Sequence, residues 1–80
     1  MLHTILRFPA VKAATGHSHS THYQRISEGL FTKPVSLGAR AVGWPSSEVA
    51  AINAARIAGK SDEEIRALVL KLEAARKAAA

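Results

Sequence analysis

The spacing of apolar residues changes twice along the chain, from a helical period to a period of two and back again. In the first stretch Pro9 sits where a first helical position falls, and Val11 and Ala14 share a face. Thr15-Gly16 then stops a helix of little more than two turns. The residues before Pro9 carry no periodicity and read as a loose start. Ser18 is a good N-cap for a second helix from about His19 to Ser27, ended by Glu28-Gly29. Two short helices around a tight, glycine-bearing turn are the signature of a helix-turn-helix.

From Lys33 to Pro45 the rhythm becomes two. Val35 and Leu37 alternate with Ser36, Gly38-Ala39-Arg40 intervene, and Val42 and Trp44 alternate with Gly43, the pattern of a β-hairpin. Its apolar face would pack on the helices while Lys33 and Arg40 project outward. Pro45 closes the second strand, and Ser46 is expected to cap a third helix running to Ile57, with Glu48 favourably placed in its first turn. The last helix has the clearest grammar. Ser61 and Glu64 form a capping box, Asp62 and Glu63 suit the positive helix end, and Arg76 and Lys77 suit the negative one. Ile65, Leu68, Val69 and Leu72 make one apolar stripe, and Leu70 lies off it, leaving apolar surface for a second subunit.

These elements predict a mainly α fold with one β-hairpin: a winged helix-turn-helix followed by a C-terminal α-helix. Residues 1–58 are expected to form the DNA-binding domain, and residues 59–80 an amphipathic helix that packs on it or pairs two copies. With 48% hydrophobic residues one small core is affordable. A chain this short nevertheless buries only about 60 to 65% of its unfolded surface, so help from a partner is plausible.

Charge sharpens the picture. The net charge is +5, and it is unevenly spread: residues 1–45 hold Arg7, Lys12, Arg25, Lys33 and Arg40 against Glu28 alone, whereas the remainder is nearly balanced. The first half is therefore the anion-binding half. The short, interrupted apolar runs exclude a transmembrane helix and a secretory signal. The absence of cysteine excludes disulfides and thiolate zinc sites and fits a cytoplasmic location. No P-loop, dinucleotide-binding glycine motif, paired carboxylates or nucleophile with its base is present, so no enzyme and no cofactor is expected.

On the second helix, His19, Ser20, Tyr23 and Gln24 fall towards the exposed side and the N-terminal end, and His22 and Ile26 fall inward. Helix N-termini suit phosphates, and a glutamine can pair with an adenine edge in the major groove. Arg40, at the hairpin turn, can reach a phosphate or a narrow minor groove.

The ordered phrases FPAVKAATG, S-x-S-T-x-Y from Ser18 to Tyr23, EGLF, KPVSLGARAVGW from Lys33 to Trp44 and SSEVAAINAAR resemble the AlpA-type regulators of phages and integrative elements, relatives of small excisionases with a winged, MerR-like domain. The resemblance runs from about Phe8 to Arg56. It implies a protein of double-stranded DNA that regulates prophage or genomic-island genes or serves as a recombination directionality factor. It also implies Ser18, Ser20, Thr21, Tyr23, Lys33 and Arg40 near DNA; His19 and Gln24 join them from the helix geometry. The expected partners are a homodimer or cooperative oligomer on DNA, and an integrase or RNA polymerase, with no membrane. A protein-interaction module built on the C-terminal helix is the alternative function.

Three of the four histidines crowd into six positions and depart from the family pattern. His17 and His22 stand at usually aliphatic positions and His19 at a usual arginine, while Leu30 replaces a common basic residue. A histidine-based metal site is the minor alternative. It lacks a nearby fourth ligand except Glu28, and a helix starting among the histidines points them apart. Inward imidazoles at positions 17 and 22 would each need a hydrogen-bond partner or partial exposure.

Overall fold

A computed structural model describes the backbone of residues 4–79 and the side chains of residues 4–77. The element order is β1 (Ile5–Leu6), α1 (Phe8–Thr15), α2 (His19–Ser27), β2 (Val35–Gly38), β3 (Ala41–Pro45), α3 (Ser46–Ile57) and α4 (Asp62–Ala79). The architecture is a winged helix-turn-helix with a C-terminal helix. Among the described residues, no helix is long and apolar enough to cross a membrane.

The helix boundaries follow from local chemistry. Gly16 ends α1 in the left-handed region at φ 75°, its N–H donating to Lys12 O. Ser18 starts α2, its Oγ accepting from Thr21 N. The capping box of α4 is reciprocal: Glu64 N donates to Ser61 Oγ and Ser61 N to Glu64 Oε1, each at 3.2 Å.

Two expectations are corrected. Part of the segment read as a loose start is β1, which pairs antiparallel with β3 through Ile5 with Pro45 and Leu6 with Trp44; residues 1–3 lie outside the described residues. The sheet order is therefore β1-β3-β2. Gly43 permits this crossing, because a Cβ there would come within 2.5 Å of Ile5 Cγ2 and 3.0 Å of the Leu6 carbonyl oxygen. Ser46 is not the cap of α3. Pro45 occupies the N-cap position, and Ser46 is already helical, its N–H donating to Thr4 O at 2.7 Å. The strand pairing of Pro45 carries the chain straight into the helix, leaving no residue between them to act as a side-chain cap.

The core gathers Val11, Leu30, Phe31, Trp44, Val49, Ile52, Ile65 and Val69. Leu30 and Phe31 enter it from the link between α2 and the hairpin, and Trp44 from β3, its Nε1 donating to Thr32 O. From α4, Ile65 and Val69 close the core, and polar ties fix the base of the wing. Glu73 accepts from Lys33 N at 2.8 Å, and Arg76 donates to Lys33 O at 2.7 Å and to both oxygens of the buried Glu48 at 2.6 and 2.8 Å. Glu48, expected to favour the α3 dipole, is thus the acceptor of a guanidinium fork. That pairing, weighed against burial, holds the Arg76 pKa above its usual value.

Candidate nucleic-acid interface

The polar side of α2 is presented as the cap and period require. Ser18, His19, Ser20, Thr21 and Gln24 are exposed, and Tyr23 is half-buried. Ser18 Oγ also donates to Thr21 Oγ1 at 3.0 Å, which fixes the hydroxyls at the helix start. Along the next edge, the rings of His19 and Tyr23 lie 4.7 Å apart and His19 meets Phe8 edge-on at 5.1 Å. Gln24 reaches back to Glu28 at 3.5 Å, a contact weak enough to exchange for another partner.

The wing carries the other two predicted contacts, at opposite ends of β2. Lys33 is exposed, with its backbone held at both N–H and carbonyl by α4. Arg40 is exposed in the two-residue turn and adopts φ 62°, a left-handed conformation that a residue with a Cβ rarely takes. The turn is set by the bulge between Ser36 and Gly38, after which Gly38 pairs with Ala41. Among the described residues no hydrogen bond joins the side chains of Lys33 or Arg40 to those of α2.

The three histidines separate. His19 is exposed and His17 half-buried, whereas His22 is fully buried among Phe31, Trp44, Phe8 and Tyr23, with ring centroids at 4.6, 4.8, 5.5 and 5.9 Å. The expected hydrogen-bond partner or partial exposure fails for His22: neither ring nitrogen has a partner and the ring is closed off from solvent. Edge-to-face ring contacts hold the imidazole in place and leave its two nitrogens unsatisfied. Burial first, then the charge interactions with His17 and His19, lower the His22 pKa to about 4. His17 meets the expectation only in its partial exposure. Its Nδ1 is unpartnered, and burial, then Arg25 and Arg56, lower its pKa. Among the described residues, no three histidine or acidic side chains converge as a metal ion would require.

Arg25 and Arg56, neither of them selected from the sequence as a site residue, meet His17 at one pocket beside α2. The available signal was that Arg25 follows Ser18 and Thr21 at helical spacing.

This geometry can be set beside known proteins. The model of the prophage CP4-57 regulatory protein (AlpA) family matches residues 4–56. The chain belongs to the AlpA family. An uncharacterized protein of Enterobacteria phage P4, ORF88, is 49% identical over 55 residues, covering 69% of this chain and 62% of that protein. The chain thus spans less than two thirds of this relative's length. No solved structure matches. The AlpA match begins at the edge of β1 and ends at Arg56, so it takes in α2 and the wing and leaves α4 outside.

Proposed function

We propose that this AlpA-family chain is a sequence-specific binder of double-stranded DNA, inserting α2 into the major groove while the β2–β3 wing grips the flanking backbone. Residues 1–58 form the DNA-binding unit, and residues 59–80 brace it or pair two copies. Ser18 and Thr21 contact phosphate or base edges, Ser20, Tyr23 and Gln24 read bases, and His19, Lys33 and Arg40 meet backbone. In the cell this regulates prophage or genomic-island genes, or directs excision together with an integrase, in the cytoplasm where the DNA lies. The observation that carries the reading is the polar, acid-free first turn of α2, exposed on the basic half of the chain.

A salt titration of binding to duplex DNA tests it. Log affinity falls with log salt at about 0.9 per phosphate contact, and absence of binding at low salt defeats the proposal. Arg40→Gly is expected to weaken binding by about tenfold, the loss of one charge-assisted contact. The same change raises the melting temperature, because glycine takes φ 62° without strain. Unchanged affinity would remove Arg40 from the interface.

A second reading, self-association through α4, is favoured by Leu70. This residue is 69% exposed at the rim of a groove of about 320 Å³ that Ile26, Phe31 and Val69 help to line. Glu63, Ala67, Leu70, Ala74 and Lys77 repeat at steps of four and three, a seam two helices can share. Run antiparallel about Leu70, the seam sets Glu63 opposite Lys77 of a second copy, so the partner is this chain itself. Sedimentation should show Leu70→Lys losing self-association, with its melting temperature unchanged at dilutions where wild type is monomeric. A wild-type chain that stays monomeric at all concentrations and on DNA ends this reading.

A further inference from the structure

A pocket of about 350 Å³ opens where the end of α1, the turn after it, α2 and α3 meet. Leu30, Phe31 and Ile52 supply its apolar walls, and His17, Arg25 and Arg56 bring its charge. The polar groups around it differ in what they have left to give. Asn53 spends its amide on Ala14 O at 3.0 Å, and Thr15 spends its hydroxyl on Val11 O at 2.8 Å. Arg56 gives one nitrogen to Asp62 at 3.2 Å, leaving most of its five N–H donors unused. Arg25 is half-buried, and among the described residues its guanidinium has neither a hydrogen bond nor an ion pair. His17 Nδ1 is buried without a partner. No carboxylate lines the pocket.

A half-buried cation without an acceptor, as Arg25 is here, is unfavourable unless something negative arrives. We propose that His17, Arg25 and Arg56 form a phosphate-binding pocket, filled by a backbone phosphate of the DNA strand that runs beside α2. A phosphate has enough oxygen lone pairs to accept from two guanidiniums and an imidazole together. Ser18, Thr21 and Arg25 stand at i, i+3 and i+7, one side of α2, so a strand touched by the first two continues past the third. Only this choice of strand rests on the DNA-binding reading; the pocket's chemistry equally suits a free phosphate.

Phosphate binding is coupled to a proton. The groups facing His17 are Thr15 from α1, Arg25 and His22 from α2, and Arg56 from α3, the last tied to Asp62 of α4. Burial first, and then repulsion from the two arginines, now lower the imidazole's pKa. An anion between them cancels that repulsion and raises the His17 pKa, so filling the pocket takes up protons below neutral pH.

Two measurements on the full chain separate the pocket from its source of phosphate. Inorganic phosphate is titrated in at constant ionic strength while the histidine ring signals are followed by NMR across pH. The His17 signals are expected to move and its apparent pKa to rise. No movement beyond a chloride control overturns the pocket. Binding to duplex DNA is then measured across salt. Arg25→Ala is expected to lower the slope by about one and weaken binding about tenfold. Arg25→Lys should restore the slope, and Lys71→Ala on the outer side of α4 should leave it alone; melting by circular dichroism verifies that each variant is folded. A slope retained in a folded Arg25→Ala variant overturns DNA as the source. If phosphate moves His17 while the wild-type chain binds no duplex, the pocket stands for a free phosphate and both DNA proposals fall.

Discussion

A chain ended after Gly59 is expected to lose cooperative folding altogether, although the residues removed lie outside the AlpA match. Two kinds of loss combine. Ile65 and Val69, 0% and 3% exposed, leave the core with the partly buried Leu68 and Leu72. Burying each of the first two is worth about 2 kcal/mol. The second loss is electrostatic: Arg76 goes, and Glu48, only 4% exposed, keeps a carboxylate with no cation. Losing the charge-assisted hydrogen bonds between the two costs about 2 kcal/mol. Together these exceed the roughly 5 kcal/mol that a domain of this size commands. Circular dichroism of the shortened chain should show a featureless melt, while full-length Leu70→Lys still melts cooperatively. A shortened chain with a sharp, reversible transition would make α4 an appendage and move its role to partner binding.

The parts of the fold that are legible in the sequence are those whose cause is local. The Ser18 cap, the Gly16 stop and the Ser61–Glu64 box each act within four residues, so the bounds of α2 and the start of α4 could be read directly. The hairpin was legible for a similar reason, since alternation around Gly38-Ala39-Arg40 encodes both strands and their turn. The missed features depend on distant partners. Ile5–Leu6 has no period of its own and becomes a strand only because β3 offers it Trp44 and Pro45. Glu48 looked like a helix-dipole residue, but its acceptor role is set by Arg76, 28 residues away. Leu30 and Phe31 sit in a linker without periodicity and become core only where distant helices close on them, Ile52 of α3 and Val69 of α4 among their neighbours.

The interface divides along the same line. Which side of α2 faces outward follows from its cap and period, and the structure exposes Ser18, His19, Ser20, Thr21 and Gln24 accordingly. Tyr23 leans further inward because the aromatic cluster around Trp44 receives its ring at 6.3 Å. Arg25 could be counted as charge but not placed, because its pocket exists only where α1 and α3 close around it.

Acidification is expected to destabilise this protein well above the pH at which its carboxylates protonate, and His22 is the reason. An imidazole in the unfolded chain titrates near pH 6.5, whereas His22 in the folded core titrates at about 4. The folded state therefore binds its proton less readily, so the stability associated with neutral His22 is complete above pH 6.5 and is lost as pH falls towards 4. Two and a half pH units at about 1.4 kcal/mol each give a loss of roughly 3.5 kcal/mol, of which about 2 is gone by pH 5. His17 adds in the same direction, since its pKa is also lowered. Glu64, held below the usual carboxylate range by its hydrogen bonds to Ser61, loses its contribution only at lower pH. Urea unfolding between pH 7 and 5 thus isolates the imidazoles. His22→Leu should flatten most of that dependence and, by removing two ring nitrogens that have no partner, add about 1 to 3 kcal/mol at pH 7. A wild-type stability that stays level from pH 7 to 5, or a His22→Leu variant with the same slope, would mean that the buried ring is solvated or paired in solution. A sloped wild type beside a level, more stable variant would mean that an imidazole at this aliphatic position lowers stability at neutral pH and makes the fold acid-sensitive.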